Sequence, residues 1–368
     1  MPAAVMVTSS FLPGRGGIES YLAALCTELA PRLAVLAPAT RDGRPVPDDL
    51  TYPVSGYPGS MIVPTRSVAR SVIDECERQG ADRVLFGTPW PLALFGPRLR
   101  RAGLRYAVIV HGAELLVPAA VPGVRARLAD ALGEADLLLP VSRFTAAKLD
   151  ALLAPSPPPI EVLRARVDTA RFRPDARSSD VLDRLGVTGR KVVLTFGRLV
   201  RRKGIPRLID ALPAVAESVP DVVLVVSGTG PQRRALERRA GSAPVVFTGR
   251  VAADDTPALY AAADVFALAV ADRWFGLDVE GLGVVLLEAS AAGTPCVTGR
   301  SGGTPEAVVD GETGFVVDAS NERDLTSALV TLLGDPSTSD RMGRAAREFV
   351  TREFANRPLP DALVEWLG

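Results

Sequence analysis

Short, almost unbroken apolar runs alternate with amphipathic stretches along the whole chain. Residues 3–9, 33–37, 83–87, 105–110 and 136–141 show no polar alternation, the pattern of strands covered on both faces. Segments near 17–30, 64–79, 90–101, 121–133 and 142–153 fall between or after them with apolar residues at helical spacing. Strand followed by helix, repeated, predicts a parallel, doubly wound α/β sheet. Pro155-Ser156-Pro157-Pro158-Pro159 breaks this rhythm, being too stiff and too poor in N–H donors for a helix interior. Beyond it the alternation returns, with strands expected at 191–197, 222–226, 245–247, 264–269, 295–297 and 313–317. Helices are expected at 204–218, 231–240, 255–263, 282–293, 304–309, 321–334 and 338–353. The pattern predicts two Rossmann-like domains, 1–165 and 178–353, with a hinge around 155–180 and a closing helix within 354–368 that packs back on the first. Open sheets bind ligands beyond the carboxyl ends of their strands, so two such sheets facing each other are expected to share a central cleft.

Composition narrows the class. A chain of 368 residues with 47% apolar content builds a large core, which excludes a disordered tail or a disulfide-stapled miniprotein. Its 42 basic and 42 acidic residues cancel, so nothing marks a dedicated nucleic-acid binder. Cys26, Cys76 and Cys296 are far apart and form no C-x-x-C pair, as buried free thiols do rather than a disulfide framework or a zinc cage. The amino terminus has no basic, long-apolar leader, and no uncharged apolar stretch reaches about 18 residues. A cytoplasmic protein is expected. Arginine has displaced lysine, leaving only Lys148, Lys191 and Lys203, and His111 is the single histidine.

Candidate chemistry falls at strand ends. Pro13-Gly14-Arg15-Gly16-Gly17-Ile18-Glu19 runs from the first strand straight into a helix, where glycines and open amides suit a phosphate. Glu19 stands where the G-x-G-x-x-G fingerprint has its third glycine, and Leu36-Ala37-Pro38 offers no carboxylate for a ribose. A nicotinamide dinucleotide is therefore disfavoured, leaving an anion-facing loop or a simple tight turn. In Phe196-Gly197-Arg198-Leu199-Val200-Arg201-Arg202-Lys203-Gly204, Arg198 and Lys203 can both reach a diphosphate, while Arg201 and Arg202 are expected in solvent. In Asp278-Val279-Glu280-Gly281-Leu282-Gly283-Val284, a helix beginning near Leu282 opens the amides of Gly281, Leu282, Gly283 and Val284. Glu288 follows two turns after Glu280; one acid suits sugar hydroxyls and the other a ribose. Asp278 and Glu280 together also imitate a metal-binding acid pair. Ser301-Gly302-Gly303-Thr304-Pro305-Glu306 is either a second phosphate cradle or an N-capped turn. His111, at a strand's carboxyl end beside Gly112, is either a packed core residue or a donor to a sugar hydroxyl.

In this order the motifs resemble the retaining glycosyltransferases of family 4, whose fold is GT-B; the likeness runs from Gly14 to about Gly314. Gly276-Leu277-Asp278-Val279-Glu280-Gly281-Leu282-Gly283 looks like the GDP-mannose-dependent phosphatidyl-inositol mannoside mannosyltransferases of actinobacteria. The resemblance implies that Arg198 and Lys203, in the loop opened by Gly197, bind the donor diphosphate. It gives Glu280 and the Gly281 to Val284 amides to the donor sugar and phosphate, and Glu288 to the ribose. It sets His111 against the donor sugar, Gly16 and Gly17 over phosphate or acceptor, and the base against Gly249-Arg250-Val251. Asp254 and Asp255 suit a guanine edge, which leaves guanine and uracil both open. The implied reaction is retaining hexosyl transfer from a nucleotide sugar, GDP-mannose foremost, without metal or other cofactor, to a phosphatidylinositol-type glycolipid. Segment 61–73 with Arg66 and Arg70, and the cluster Arg98, Arg100, Arg101 and Arg105, suit a peripheral anionic membrane surface or are ordinary solvated faces. Transfer from a UDP- or GDP-sugar to a soluble inositol or natural-product acceptor, a nucleotide-sugar 2-epimerase and a non-catalytic nucleotide-sugar sensor are the alternatives.

Overall fold

Twelve short strands, half of them fully buried, form two parallel sheets in the computed structural model, which describes residues 2–14, 16–41 and 43–368. The chain divides into two units, 1–166 with 358–368, and 167–357. In the first, β1 (Ala4–Val7), β2 (Leu33–Pro38), β3 (Val54–Tyr57), β4 (Arg83–Phe86), β5 (Arg105–Val110) and β6 (Leu137–Pro140) lie in the order β3-β2-β1-β4-β5-β6, all pairs parallel. Five of these were expected from their apolar runs. The edge strand β3 was not, because Val-Ser-Gly-Tyr is half exposed and has no such run.

Helices cover both faces. Arg66–Gln79 begins where Thr65 Oγ1 accepts from the Val68 amide at 3.3 Å and ends at Gly80. The stretch expected as one helix near 90–101 is a 3₁₀ turn, Leu92–Phe95, followed by Gly96–Arg101. Gly112–Ala119 is an additional helix that follows β5 directly, with His111 as its N-cap. Proline at 118 and 122 hid its periodicity by splitting it from Pro122–Gly133. The last helix, Asp361–Leu367, buries Leu363, Trp366 and Leu367 and belongs to this unit.

The second unit repeats the plan with β7 (Lys191–Phe196), β8 (Val222–Ser227), β9 (Val245–Gly249), β10 (Val265–Leu268), β11 (Cys296–Gly299) and β12 (Gly314–Val317), ordered β9-β8-β7-β10-β11-β12 and again wholly parallel. The stretch expected as a hinge contains a 3₁₀ turn, Pro174–Ala176, and runs into a helix, Ser179–Leu185, which Ser178 caps through the Asp180 amide. The helix expected at 304–309 is only a 3₁₀ turn, Thr304–Glu306. Each sheet reverses direction between its first and fourth strands, so the loops after β7 and β10 emerge side by side, where such sheets receive ligands.

Candidate active site

Those two loops meet through charge. The loop after β7 ends in a 3₁₀ turn, Arg201–Lys203, before the helix Ile205–Ser218. The loop after β10 runs to Gly283, the N-cap of the helix Val284–Ala291. Lys203 Nζ lies 3.0 Å from Glu280 Oε2. Arg202 Nε donates to the same oxygen at 3.2 Å, and its Nη1 donates to Asp278 Oδ1 at 3.1 Å. Arg273 Nη1 donates to Asp278 Oδ2 at 2.9 Å, completing a ladder from Arg273 to Lys203. Arg202, expected in solvent, is therefore a member of the site: it bridges two acids that lie 76 and 78 residues ahead of it. That guanidinium occupies the space between Asp278 and Glu280, where an acid pair would otherwise receive a metal.

Burial alone would raise the Glu280 carboxyl, but Lys203 and Arg202 outweigh it and hold the group below its ordinary range. Arg198, in contrast, is exposed and has no ion-pair partner among the described residues. Counting Arg202, Lys203 and Arg273 against Asp278 and Glu280, the ladder keeps one positive charge.

The helix expected from Leu282 starts two residues later, at Val284, because Gly283 takes φ +86° and turns the chain into it. No side chain caps this helix, which leaves the amides of the Gly281 to Val284 stretch facing its positive end. The Ser301-Gly302-Gly303 turn is a brace for this loop, and its phosphate-cradle reading is corrected. The Gly303 amide donates to the Glu280 carbonyl at 3.0 Å, Ser301 Oγ accepts from the Glu280 amide at 3.3 Å, and the Ser301 amide is spent on Thr304 Oγ1 at 3.2 Å. Gly302 sits at φ +54° so close to the Glu280 carbonyl that any Cβ would collide with it.

Glu288 lies on the same helix, inside an aromatic wall. Tyr260 donates to its Oε2 at 2.7 Å, and the Tyr260 ring centroid lies 5.7, 5.4 and 5.5 Å from those of Phe172, Phe196 and Phe266. Burial there pushes the Glu288 carboxyl up to about 7, while the Tyr260 hydroxyl and Arg171 pull the other way. A carboxylate in such a wall satisfies itself best by accepting hydroxyl protons. At the end of β9, Gly249 accepts from the Gly228 amide at 2.7 Å, and half-buried Val251 follows it. Asp255 is engaged by Arg184 at 2.8 Å, which leaves Asp254 exposed.

In the first unit, His111 is 7% exposed. Its Nε2 lies 3.1 Å from the Gly87 carbonyl, which can only accept, so Nε2 carries the proton. Burial holds the imidazole below its ordinary range, against Glu114, the Gly87 bond and Glu19. The ring is thus neutral, packed edge-on to Tyr21 at 5.5 Å, with Nδ1 left as an acceptor and not the donor expected. Gly16 caps the helix Gly17–Leu29 in extended conformation, and open space surrounds Gly17. The Glu19 carboxylate folds back beside Gly16 and pairs with Arg41 at 3.4 Å. Arg15 of this loop lies outside the described residues. Of the arginine cluster, Arg100 and Arg105 are tied to Asp136 at 3.1 and 3.9 Å, whereas Arg66 and Arg70 are exposed beside exposed Met61 and Val63.

Sequence signals missed Arg202, Tyr260 and Arg41, and misread Asp278 as one of a metal-binding pair, for one cause: each is engaged by a partner distant in sequence. Among the described residues no group of three or more His, Cys, Asp or Glu side chains is placed to hold a metal ion, and no helix is long and apolar enough to cross a membrane.

Residues 183–349 match the family model of glycosyl transferases group 1. The GDP-mannose-dependent alpha-(1-6)-phosphatidylinositol monomannoside mannosyltransferase of Mycolicibacterium smegmatis is 40% identical over 378 residues, covering 99% of this chain and 98% of that protein. Its namesake from Mycobacterium tuberculosis is 37% identical, covering 100% and 98%. Among solved structures, Anabaena Alr3699/HepE in complex with UDP superimposes with a TM-score of 0.80 at 21% identity, over 96% of each chain.

Proposed function

The chain belongs to the group 1 glycosyl transferases, and on that premise we propose that it moves a mannosyl group from GDP-mannose to a hydroxyl of a phosphatidylinositol mannoside, with retention and without a metal. The full-length likeness to enzymes named for that donor and acceptor carries the reading. The second unit supplies what a departing nucleoside diphosphate needs, in the cations around Glu280 and the uncapped start of Val284–Ala291.

The donor diphosphate lies on Arg198, Lys203 and the Gly281 to Val284 amides. Glu280 accepts from the mannosyl hydroxyls, Glu288 from the ribose diol, and Val251 lines the base. As the bond from the anomeric carbon to the phosphate oxygen breaks, both electrons stay with GDP. The acceptor oxygen bonds to the same face of that carbon, and its proton passes to the leaving phosphate. Fixed cations and amides stabilise that growing charge more than the bound donor, which is what lowers the barrier. Arg202 supplies the local positive charge at the acid pair. Neutral His111 accepts from a sugar hydroxyl through Nδ1, and Gly17, next to Gly16 at the helix start, leaves room for phosphate or acceptor.

Peripheral attachment to the membrane bearing the acceptor fits Arg66 and Arg70 beside Met61 and Val63 on the first unit. A donor panel followed by calorimetry tests the proposal. GDP-mannose is expected to bind more tightly than UDP-hexoses, equally well with a chelator present. Preference for a UDP-sugar, or binding restored only by magnesium, overturns the donor and metal assignments respectively.

A further inference from the structure

Between Arg273 and Asp278 the donor-side loop makes a four-residue turn, Trp274-Phe275-Gly276-Leu277, closed by an antiparallel bridge. The turn is uncharged and apolar, yet it projects outward: Trp274 is 59% exposed and Phe275 108%. Both take left-handed backbone angles, φ 51° and 55°, a conformation that large side chains rarely adopt without a use. Nothing in the core of the second unit gains from this display.

The turn is rigidly built. Arg273 and Asp278 exchange backbone hydrogen bonds, both 3.1 Å, and their side chains pair at 2.9 Å. The amides of Gly276 and Leu277 also donate to the Arg273 carbonyl, at 3.1 and 3.2 Å. The Arg273 guanidinium lies 5.1 Å from the centre of the Trp274 indole.

We propose that the Trp274-Phe275 tip enters the boundary between headgroups and acyl chains of the bilayer that carries the acceptor, with Arg273 at headgroup level. This rests on the glycolipid-acceptor reading and names the element of the second unit that meets the lipid. Three features favour a bilayer over a sugar ring or a protein groove. The tip brings no charged side chain into the apolar zone, because Asp278 neutralises Arg273 at its root. Its amides at Gly276 and Leu277 are satisfied within the turn, so they need no partner from the interface. An indole beside a guanidinium matches the amphipathic, anionic level of a membrane surface. A sugar ring, in contrast, wants an open aromatic face ringed by hydrogen-bonding groups, and one indole face is already covered by Arg273. Asp278 and Glu280 follow the tip directly, so a bilayer engaged here lies at a fixed distance from the proposed donor cations of the same unit.

Vesicles of phosphatidylinositol in phosphatidylcholine test this with the full chain. The wild type should float with them, and vesicles containing brominated lipid should quench its tryptophan emission; Trp274→Phe should lose the quenching. Trp274→Ser combined with Phe275→Ser should weaken flotation about tenfold or more, the scale of two aromatic groups returned to water, while GDP binding stays unchanged. Transfer to a vesicle-embedded acceptor should fall at least tenfold in that variant, and transfer to the deacylated, water-soluble acceptor should stay within about twofold. Unchanged flotation and quenching overturn the proposal. Equal losses on both acceptors overturn it in favour of sugar contact, and a changed molar mass in solution overturns it in favour of a contact between copies. If the wild type mannosylates neither acceptor, the glycolipid reading fails, whereas flotation and quenching still decide the tip.

Discussion

Replacing Lys203 by alanine separates the catalytic use of this cation from its structural one. At 3.0 Å from Glu280 Oε2, the ammonium interacts with the carboxylate by about 5–6 kcal/mol at an effective dielectric of about 20. Most of that is offset by the desolvation of two groups that are 13% and 11% exposed. Glu280 also keeps Arg202 at 3.2 Å, so the substitution does not strand a buried charge. The net loss of stability should therefore be about 1 kcal/mol, a fall in Tm of about 2–4 °C for a unit of this size. In the proposed reaction the same ammonium faces the leaving phosphate. A gain of roughly half a charge there at about 3 Å is worth about 3 kcal/mol under the same dielectric, in line with the loss of one preorganised donor. Donor kcat/KM should then fall roughly 10²- to 10³-fold, and Lys203→Arg should recover part of it. The assay is initial-rate transfer at saturating acceptor beside differential scanning fluorimetry. A fall in kcat/KM of less than threefold, or a loss of Tm so large that the protein is unfolded at the assay temperature, refutes the reasoning.

Glu288 carries a pH signature. Its carboxyl is raised to about 7, so the folded state binds more protons than the unfolded state between about pH 4.5 and 7, and stability falls as pH rises through that window. Glu288→Gln should flatten this slope in urea titrations. Because ribose hydroxyls need the ionised acid, GDP affinity should rise with pH from 6 to 8 in the wild type and not in Glu288→Gln, as calorimetry would read. Asp278→Asn should loosen both Arg202 and Arg273, raising the donor KM severalfold with kcat nearly unchanged; an unaffected KM would mean that the ladder does not position the donor loop. His111→Ala should cost about tenfold in kcat, one hydrogen bond's worth, with GDP binding intact. Since burial keeps His111 neutral, the wild-type rate profile should show no limb near pH 6.5 that disappears in this variant.

The two sheets were legible because doubly covered strands need continuous apolar runs, and eleven of twelve had one. Strand β3 escaped because an edge strand with one open face, as at Ser55 and Gly56, has no such need. The loops after β7 and β10, which the proposed function gives to the donor, were legible as glycine turns at Gly197 and Gly281 to Gly283. The Ser301-Gly302-Gly303 turn shows the limit of that signal: the same residues that approach a phosphate also approach a carbonyl, here that of Glu280. Arg202 looked like one more solvated arginine in a basic run, and only the pairing of the loops after β7 and β10 gives it Asp278 and Glu280. Likewise, the protonation of Glu288 depends on Tyr260 and three phenylalanines drawn from separate elements.

The most direct measurement of the central claim follows GDP release and product together, with GDP-mannose and a phosphatidylinositol monomannoside in vesicles. Release should require the acceptor, match it one for one, and yield an α-linked mannose by proton NMR. Release of GDP with free mannose or an epimer when no acceptor is present, or no turnover of GDP-mannose at all, would contradict it.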